Sequence, residues 1–395
     1  MSSTVPLIVT CDQAPVPPLN GTSKKVHDVL LALRGRAPIH VVVYPASCDE
    51  ARTLQEYWAG SGIEFHYLER KSFAAPVRSL LTGHSIPTVT RDFEAEATVL
   101  RGITRREPQS RLMIDFISGA PLVRHVTAGA VISGHDCMSH LFREEADRAA
   151  TLKTRARFLV RERFARRAEA RYYPHADAVH VVSAKDAAEL SRVDASIRAT
   201  VIPIAAQLPS PEQLAPSGTR TRRVIWGNLG SPVILAGVRQ LVDVARPHAG
   251  ALRGWTLIGR VTADEARQLI PELSELGIEY LPSAQHLTTT LGQAEVVLLP
   301  DLGGTGQKNR TLDALAHGAC VIGLAEVFRG IEPCGQFVEV ASFKDALAFL
   351  ARHTAADIVD VGARARAFAG TLDVHQRGDQ WRALLASIPP LVMAA

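Results

Sequence analysis

Residues 298–324 read LLPDLGGTGQKNRTLDALAHGACVIGL, and this stretch decides the fold. Apolar residues at each end predict two buried strands, and the middle predicts a loop followed by a helix over about 309–317. The loop contains glycines that let the backbone approach a ligand closely: Gly303, Gly304 and Gly306. A strand, a glycine-rich loop and a helix in this order are typical of the ligand-binding edge of a parallel α/β sheet.

Positive charge is concentrated where this helix begins. Lys308 and Arg310 flank the first helical residue, where free N–H groups and the helix dipole already favour an anion. Together these groups can hold a diphosphate. The spacing fits neither the GxxxxGK[ST] loop nor the strict GxGxxG loop. Asp313 has two interpretations: a carboxylate that stabilises the helix N-terminus, or an acceptor for the hydroxyls of a ribose.

Buried strands alternate with helical patterns along the chain. Most of the predicted strands are continuous apolar runs, as strands covered on both faces require. This alternation predicts doubly wound parallel sheets with helices on both faces. The predicted strands are 5–10, 39–44, 63–67, 112–117, 130–133, 178–183, 200–204, 223–227, 255–259, 278–281, 295–300, 320–323 and 337–340.

A proline-rich segment, residues 203–222, divides the chain. It has no periodicity and predicts a linker. We therefore expect an N-terminal Rossmann-like domain over 1–205, a C-terminal one over 206–372 and a terminal segment over 373–395. Two such domains facing across a cleft would bind ligands at the carboxyl edges of their sheets.

Composition excludes several classes of protein. The 395 residues include 44 Lys and Arg against 40 Asp and Glu, and this net charge of +4 is too small for a general nucleic-acid binder. No apolar run reaches the roughly 18 residues of a membrane span, and the first residues do not resemble a secretory signal. The five cysteines are far apart in the sequence and are expected to be reduced thiols, which favours a cytoplasmic location.

The segment GGTGQKNRTLDALAHGACVIG resembles the donor-binding signature of retaining glycosyltransferases with the GT-B fold, family 4 in the usual classification. The family pattern is G-G-x-G-x-K-x-[KR]-x-L-[ED]-A-x-A-x-G-x-x-V. VIWGNL (224–229), WTLIG (255–259) and QAEVVLLP (293–300) extend the resemblance upstream. It covers about 222–330 and implies two Rossmann-like domains, with a terminal helix that returns to the N-terminal one.

The resemblance also implies roles for residues of the C-terminal domain. Lys308 and Arg310 would act as catalytic groups that stabilise the leaving nucleoside diphosphate, and Asp313 would bind the ribose of the nucleotide. Thr305 stands where many members have an acid that contacts the donor sugar. The other predicted donor-binding residues lie in two glycine-containing turns: Gly227, Asn228, Gly303, Gly304, Gly306 and Gln307.

Two loops of the N-terminal half are further candidates. Gly21 resembles the family's glycine loop before the first helix and would bind the donor; an ordinary helix capped by Thr22 or Ser23 is the alternative. His135 and Asp136 follow a predicted strand and resemble the loop that touches the donor sugar. His135 would help to position the acceptor as a catalytic residue, and a structural histidine is the alternative. Asp115, Ser118 and Gly119, near the end of the preceding predicted strand (112–117) or just after it, are candidates for the acceptor side.

Residues 143–171 predict a long helix with ten Lys and Arg residues against five acids. This local excess of five is larger than the net charge of the whole protein, +4. Three interpretations are open: peripheral contact with anionic membrane headgroups, attraction of an anionic nucleotide sugar, or a solvated helix with i,i+4 ion pairs.

These features predict a glycosyltransferase that moves a sugar from a nucleoside-diphosphate sugar to a glycan, lipid-linked or small-molecule acceptor, with retention of anomeric configuration. No cofactor and no metal are expected, because Lys308 and Arg310 supply positive charge at the diphosphate. The alternatives are a nucleotide-sugar epimerase or a phosphorylase on the same scaffold, or a non-catalytic nucleotide-sugar-binding protein. No nucleic-acid partner is expected. The expected location is cytoplasmic, with contact at the inner membrane face through residues 143–171 left open.

Overall fold

The computed structural model describes residues 5–17, 21–71, 75–82, 84–147, 149, 151–215, 219–248, 250–260, 263–282, 287–303 and 307–394. The chain divides into two compact units. Unit 1 comprises Met1–Ile204 and Val374–Ala395, and unit 2 comprises Ala205–Asp373. Each unit is built around its own parallel β-sheet.

Strands and helices alternate in unit 1 as far as Ile204. In chain order they are β1 (Leu7–Cys11), α1 (Gly21–Leu33), β2 (Ile39–Val43), α2 (Cys48–Tyr57), β3 (Ile63–Tyr67), α3 (Ala75–Thr82), α4 (Ile86–Thr90), α5 (Phe93–Arg106), β4 (Arg111–Asp115), α6 (Phe116–Gly119), β5 (Val126–Ala128), β6 (Ala130–His135), α7 (Met138–Asp147), α8 (Leu152–Tyr172), β7 (Ala178–Val181), α9 (Ala184–Val193) and β8 (Ala199–Val201).

The main sheet of unit 1 is parallel, with the strand order β3-β2-β1-β4-β6-β7-β8. Strands β1, β2 and β4 are buried along their whole length, as continuous apolar runs require. The chain adds β2 and β3 on one side of β1 and then returns to place β4 on the other side. The strand order therefore reverses between β1 and β4, where open α/β sheets bind ligands beyond the carboxyl ends of their strands.

Unit 2 repeats this plan. Its elements are β9 (Arg222–Trp226), α10 (Pro232–Ala245), β10 (Thr256–Ile258), α11 (Ala263–Glu275), β11 (Glu279–Leu281), α12 (Leu287–Gly292), β12 (Ala294–Leu299), α13 (Asn309–Ala316), β13 (Cys320–Gly323), β14 (Val338–Glu339), α14 (Phe343–Arg352) and α15 (Ala355–Thr371). The parallel sheet has the order β11-β10-β9-β12-β13-β14, so its strand order reverses between β9 and β12.

The C-terminal segment completes unit 1 with α16 (Val374–Ser387) and β15 (Val392–Met393). Helix α16 packs closely on α1, because a Cβ at Gly378 would lie only 2.7 Å from the carbonyl oxygen of Ala32. The Trp381 ring of α16 lies 4.5 Å from the imidazole of His180 in β7. Strand β15 pairs with β5 in an antiparallel ladder beside the main sheet.

The predicted fold class is confirmed at the level of elements. Each predicted strand is present with small shifts at its ends, and both main sheets are parallel. The antiparallel pair β5 and β15 was not predicted, because strands of three and two residues are too short to show a periodic pattern. All five cysteines are free thiols, as expected.

The prediction of one long helix over residues 143–171 is wrong. Helix α7 ends at Asp147 and α8 begins at Leu152. The Thr151 side chain caps α8 by accepting a hydrogen bond from the amide three residues further on. The segment contains neither glycine nor proline, so this single cap was the local signal for the interruption.

His180 makes the stability of unit 1 sensitive to acid. Its Nε2 donates to the carbonyl of Ile202 at 2.9 Å, so its Nδ1 accepts from the Ser133 hydroxyl, also at 2.9 Å. Burial lowers the pKa of His180 from 6.5 to about 3. The unfolded chain therefore binds one more proton at this residue between about pH 3 and 6.5, and stability falls as the pH drops through that window.

Because of His180, we expect the free energy of unfolding to be about 2 kcal/mol smaller at pH 5 than at pH 7. Urea unfolding of His180→Gln, which keeps the donor to Ile202, should show a pH dependence smaller by that amount. The exposed His353→Gln is the matched control and should leave the pH dependence unchanged. Equal pH dependence in His180→Gln and the wild type would contradict this account.

Candidate active site

Arg310 is the central residue of the unit 2 site. Its Nη2 donates to Asp301 Oδ1 at 2.7 Å, and the Asp301 side chain is buried. Its Nη1 is buried and has no hydrogen-bond partner among the residues that the structure describes. A buried polar group left unpaired costs about 1–3 kcal/mol and more when it is charged. This N–H therefore marks a position for an acceptor atom that arrives with a ligand.

Gly227 lies at the end of β9, directly beside this guanidinium. A Cβ at Gly227 would stand 3.3 Å from Arg310 Nη1 and 2.4 Å from Ile234 Cγ2, so glycine is needed here. At the end of β10, a Cβ on Gly259 would lie 1.9 Å from the Gly227 carbonyl oxygen. The turn after β9 exposes Asn228. These close approaches bring two of the predicted residues, Gly227 and Arg310, together at the carboxyl edge.

Helix α13 presents its N-terminus to the same edge. Lys308 precedes the helix in an extended conformation, and its Nζ donates to the Gly303 carbonyl at 3.3 Å. Asn309 Oδ1 is buried without a partner in the described part of the chain. Two cationic side chains and a helix dipole therefore lie beside the point where the strand order reverses between β9 and β12.

The remaining predicted donor-binding residues of unit 2 are less informative. Gln307 is buried, and Asp313 is half-buried on α13, with its backbone carbonyl accepting from His317 Nδ1 at 2.7 Å. The donor-binding roles in unit 2, like the catalytic roles of Lys308 and Arg310, stay predictions. Three predicted residues lie outside the described residues: Gly304, Thr305 and Gly306.

A buried Asp–His pair lies at the carboxyl edge of the unit 1 sheet. Asp115 ends β4 and His135 ends the adjacent β6, with Asp115 Oδ1 2.6 Å from His135 Nε2. Burial and the Asp12 carboxylate raise the pKa of Asp115 well above its ordinary value. Burial and the Lys25 ammonium lower the pKa of His135. In both groups burial disfavours the charged form.

The backbone beside this pair is strained. His135 and Phe116 both adopt the left-handed region, with φ of 65° and 63°. Such a conformation costs on the order of 1–3 kcal/mol for a residue other than glycine and is concentrated at functional sites. The Phe116 ring meets the His135 imidazole edge-on at 5.6 Å. The strain and the ring contact together fix the imidazole against Asp115.

Arg91 is buried among acidic groups next to the pair. Its Nε and Nη2 donate to the two Glu96 oxygens at 2.8 and 2.6 Å. Its Nη1 lies 3.5 Å from an oxygen of Asp12, which follows β1, and the other Asp12 oxygen accepts from Ser118. A Cβ at Gly119 would lie 2.7 Å from Arg91 Nη1, so this glycine makes room for the guanidinium. The network holds the Asp12 carboxylate at the sheet edge.

Asp136 and Lys25 add opposite charges to this edge. Asp136 Oδ1 is buried without a partner within the described ranges. Lys25 is half-buried in α1, and burial lowers the pKa of its ammonium while Asp136 and Asp115 act in the opposite direction. The Lys25 charge therefore lies close to both carboxylates. The donor-binding role of Asp136 and the catalytic role of His135 stay predictions.

Gly21 is the first residue of α1 and is exposed. The predicted cap at Thr22 or Ser23 is therefore wrong, because both residues lie inside the first turn of the helix. Lys24, one turn along, forms an ion pair with Asp28 at 3.1 Å. The donor-binding role of Gly21 stays a prediction.

An apolar cavity of about 380 Å³ opens in unit 1. Phe116, which contacts His135, forms part of its wall. Aromatic and aliphatic side chains of α7 and α8 form much of the rest, among them Met138, Phe142 and Phe164. The cavity therefore suits the apolar part of a small molecule.

The basic stretch, residues 143–171, is mostly solvent-exposed. Helix α8 buries few of its side chains. Phe158 is half-buried and stacks on Phe142 at 6.5 Å, while Phe164 lines the apolar cavity, so both aromatic rings pack within unit 1. No helix in the described part of the chain combines the length and the apolarity that crossing a bilayer requires.

Several residues of these two sites were missed by the sequence analysis. Arg91 and Glu96 belong to no motif, and only the folded sheet brings them to Asp12. Asp12 itself had a signal, since it lies two residues after the first predicted strand (5–10), and Asp115 lies near the end of a later predicted strand (112–117). Asp301 also follows a predicted strand. An acidic residue at the carboxyl end of a buried strand was thus a pattern that the sequence already contained.

Comparison with known proteins bears on the fold. No family model matches the chain, and no curated protein sequence matches it. Solved structures, in contrast, do match this chain. The structure of Anabaena HepE in complex with UDP and glucose is 15% identical, with a TM-score of 0.64 over 97% of this chain and 100% of that one.

Two further structures are similar to this chain. An α,α-trehalose 6-phosphate synthase from Burkholderia multivorans is 11% identical, with a TM-score of 0.66 over 97% of this chain and 98% of that one. An E. coli trehalose-6-phosphate structure bound with UDP-2-fluoro glucose is 12% identical, with a TM-score of 0.62 over 98% of this chain and 100% of that one. At these identities the likeness shows the fold, which is the GT-B fold of two parallel-sheet α/β domains.

Proposed function

We propose that this chain is a retaining glycosyltransferase of the family 4 type, which moves a sugar from a nucleoside-diphosphate sugar to an acceptor hydroxyl. The observation that carries the proposal is the buried Nη1 of Arg310 beside Gly227, which has no hydrogen-bond partner among the residues that the structure describes. This N–H lies at the N-terminus of α13, where the strand order of unit 2 reverses. A diphosphate oxygen is the kind of acceptor that this position suits.

Lys308 and Arg310 are proposed to stabilise the diphosphate as it leaves. The bond between the anomeric carbon and the diphosphate oxygen breaks, and the acceptor oxygen bonds to the anomeric carbon on the same face. The proton of the acceptor hydroxyl passes to the departing diphosphate. Negative charge grows on the diphosphate during this step, so cations already held in place lower the barrier most.

A uridine nucleotide is the proposed donor class. The support is the likeness in fold to structures that hold UDP and glucose or UDP-2-fluoro glucose. Asp313 is the proposed ligand of the ribose, because a carboxylate can accept from both hydroxyls of a diol. Its position one turn into α13 leaves the helix N-terminus to the diphosphate.

Unit 1 is proposed to bind the acceptor. The Asp115–His135 pair is proposed to bind the acceptor hydroxyl, and the cavity of about 380 Å³, whose wall residue Phe116 contacts His135, offers an apolar surface. An acceptor with a hydroxyl beside an alkyl or aryl group satisfies both features. We therefore expect an alkyl or aryl glycoside to be a better acceptor than the corresponding free sugar.

Thermal shift with UDP-, GDP-, TDP- and ADP-sugars tests the donor proposal. A ligand that binds the folded state raises the melting temperature, and we expect the UDP-sugars to raise it most. Arg310→Gln should weaken UDP binding by about 10- to 100-fold, the scale of a lost charge-assisted hydrogen bond. Arg352→Gln on the exposed end of α14 is the matched control and should bind UDP as the wild type does.

Product analysis separates transfer from its alternatives. Incubation of the preferred donor with free sugars and their alkyl glycosides should give a glycoside that keeps the anomeric configuration of the donor, read by NMR. Release of an epimerised sugar nucleotide would favour an epimerase instead. Donor binding with no product across the acceptor panel would favour a non-catalytic binding protein.

A further inference from the structure

A cluster of two histidines and a glutamate lies on the edge of the unit 1 sheet, away from the carboxyl ends that form the candidate site. His40 lies in β2, and Glu64 and His66 lie in β3, the last strand of the sheet. His40 is opposite Glu64 in the parallel register, and His66 is opposite Val42. Because side chains alternate between faces along a strand, His40, Glu64 and His66 point to the same face.

The three side chains converge on one point. His40 Nδ1 lies 3.2 Å from Glu64 Oε2, and His66 Nε2 lies 3.5 Å from Glu64 Oε1. His40 Nδ1 and His66 Nε2 are 3.4 Å apart. Ligand atoms held at 2.0–2.1 Å by a tetrahedral zinc ion are about 3.3 Å from one another. The observed distances of 3.2, 3.5 and 3.4 Å are close to this edge length, with the two histidines facing different oxygens of Glu64.

A second carboxylate lies behind His40. A Glu107 oxygen lies 3.0 Å from His40 Nε2, and a carboxylate oxygen can only accept, so Nε2 donates to Glu107. His40 Nδ1 faces the other side, toward Glu64 Oε2 at 3.2 Å and His66 Nε2 at 3.4 Å. A carboxylate behind a metal-binding histidine is also the usual way in which proteins orient such a ligand.

The surroundings admit an ion and water. His40 is buried, His66 is partly buried and the Glu64 side chain is 48% exposed, so one side of the cluster faces solvent. Arg106 lies 3.4 Å from Glu64 Oε1, but its side chain is 59% exposed and can turn away into solvent.

We propose that His40, Glu64 and His66 bind one zinc ion, with Glu107 orienting His40 and water completing the coordination. Two imidazoles, one carboxylate and an open position are a donor set that zinc accepts. The ion would join the edge strand β3 to β2. The proposal is independent of the proposed transferase activity, because the ligands lie on strands that contribute no residue to the candidate active site.

Titration of the full chain with ZnCl₂, after EDTA treatment and dialysis, tests the site by calorimetry. We expect one ion per chain and a rise in melting temperature as zinc is added. His66→Gln should weaken zinc binding by at least about 100-fold, and Glu107→Gln by about 10- to 100-fold, since it leaves all three ligands in place. His248→Gln, an exposed histidine of unit 2, is the matched control and should bind as the wild type does.

His66 lies on an edge strand and is partly exposed, so His66→Gln should fold with the melting temperature of the zinc-free wild type. Loss of zinc binding in this variant can therefore be told apart from loss of folding. X-ray absorption of the zinc-loaded chain should show two imidazole ligands. Absence of zinc binding would overturn the proposal. Binding that His66→Gln leaves unchanged would overturn it as well.

Discussion

Lys308→Ala is expected to lower kcat/KM for sugar transfer by on the order of 100-fold or more, the scale of losing one charge-stabilising contact in a transition state. Lys308 stands at the start of α13, and its Nζ donates to the Gly303 carbonyl at 3.3 Å, so its charge is held beside the loop that precedes the helix. The loss should be seen in kcat as well as in KM, because charge on the diphosphate is greatest as it leaves.

The measurement is steady-state kinetics with the donor found by thermal shift. Lys344→Ala, on the exposed face of α14, removes an equal charge from the same unit and should leave kcat/KM unchanged. Circular dichroism checks that both variants are folded. Turnover of Lys308→Ala at the wild-type rate would remove the diphosphate from this end of α13 and with it the proposed mechanism.

The largest effect on stability is expected at Arg91. Its guanidinium and the Glu96 carboxylate are fully buried, 2.6 Å apart at the shorter contact. Arg91→Ala should lower the free energy of unfolding by about 3–5 kcal/mol, because it leaves the Glu96 charge buried without its partner. Glu96 also accepts from the Tyr44 hydroxyl at 2.5 Å, a single neutral donor that does not replace the lost charge.

Urea denaturation measures this loss. Arg192→Ala removes a surface partner of Glu189, and the change in unfolding free energy should stay within about 1 kcal/mol. The double variant Arg91→Met with Glu96→Leu removes both charges and should recover much of the lost stability. A loss below 1 kcal/mol in Arg91→Ala would show that water reaches Glu96 in the folded protein.

The unit 2 site was largely predictable from sequence because its parts are local. Gly303, Lys308 and Arg310 lie within one strand–loop–helix stretch, and a helix N-terminus is an anion site whatever surrounds it. Gly227, which lies beside Arg310, was predicted only through the resemblance to the family 4 signature. The structure supplies the physical reason for it, since a side chain there would meet Ile234 and crowd Arg310.

The unit 1 site was predicted only in part. His135 was chosen for its position after a strand, yet its partner Asp115 is twenty residues earlier in the chain. Arg91 lies 79 residues from Asp12 and carries no motif. The zinc-binding cluster joins His40 to His66 across 26 residues, a spacing with no local meaning. Each of these contacts exists only because particular strands are neighbours in the sheet.

The sequence by itself determined the strands of the two main sheets and the helix end that carries the cations Lys308 and Arg310. Strands buried on both faces must be continuous apolar runs, and an anion site at a helix N-terminus needs only neighbouring residues. The tertiary structure alone decided which charges are buried together, among them Arg91 with Glu96 and Asp115 with His135. The physical reason is that hydrophobic periodicity shows which face of a strand is covered, whereas the order of strands in the sheet decides which side chains meet.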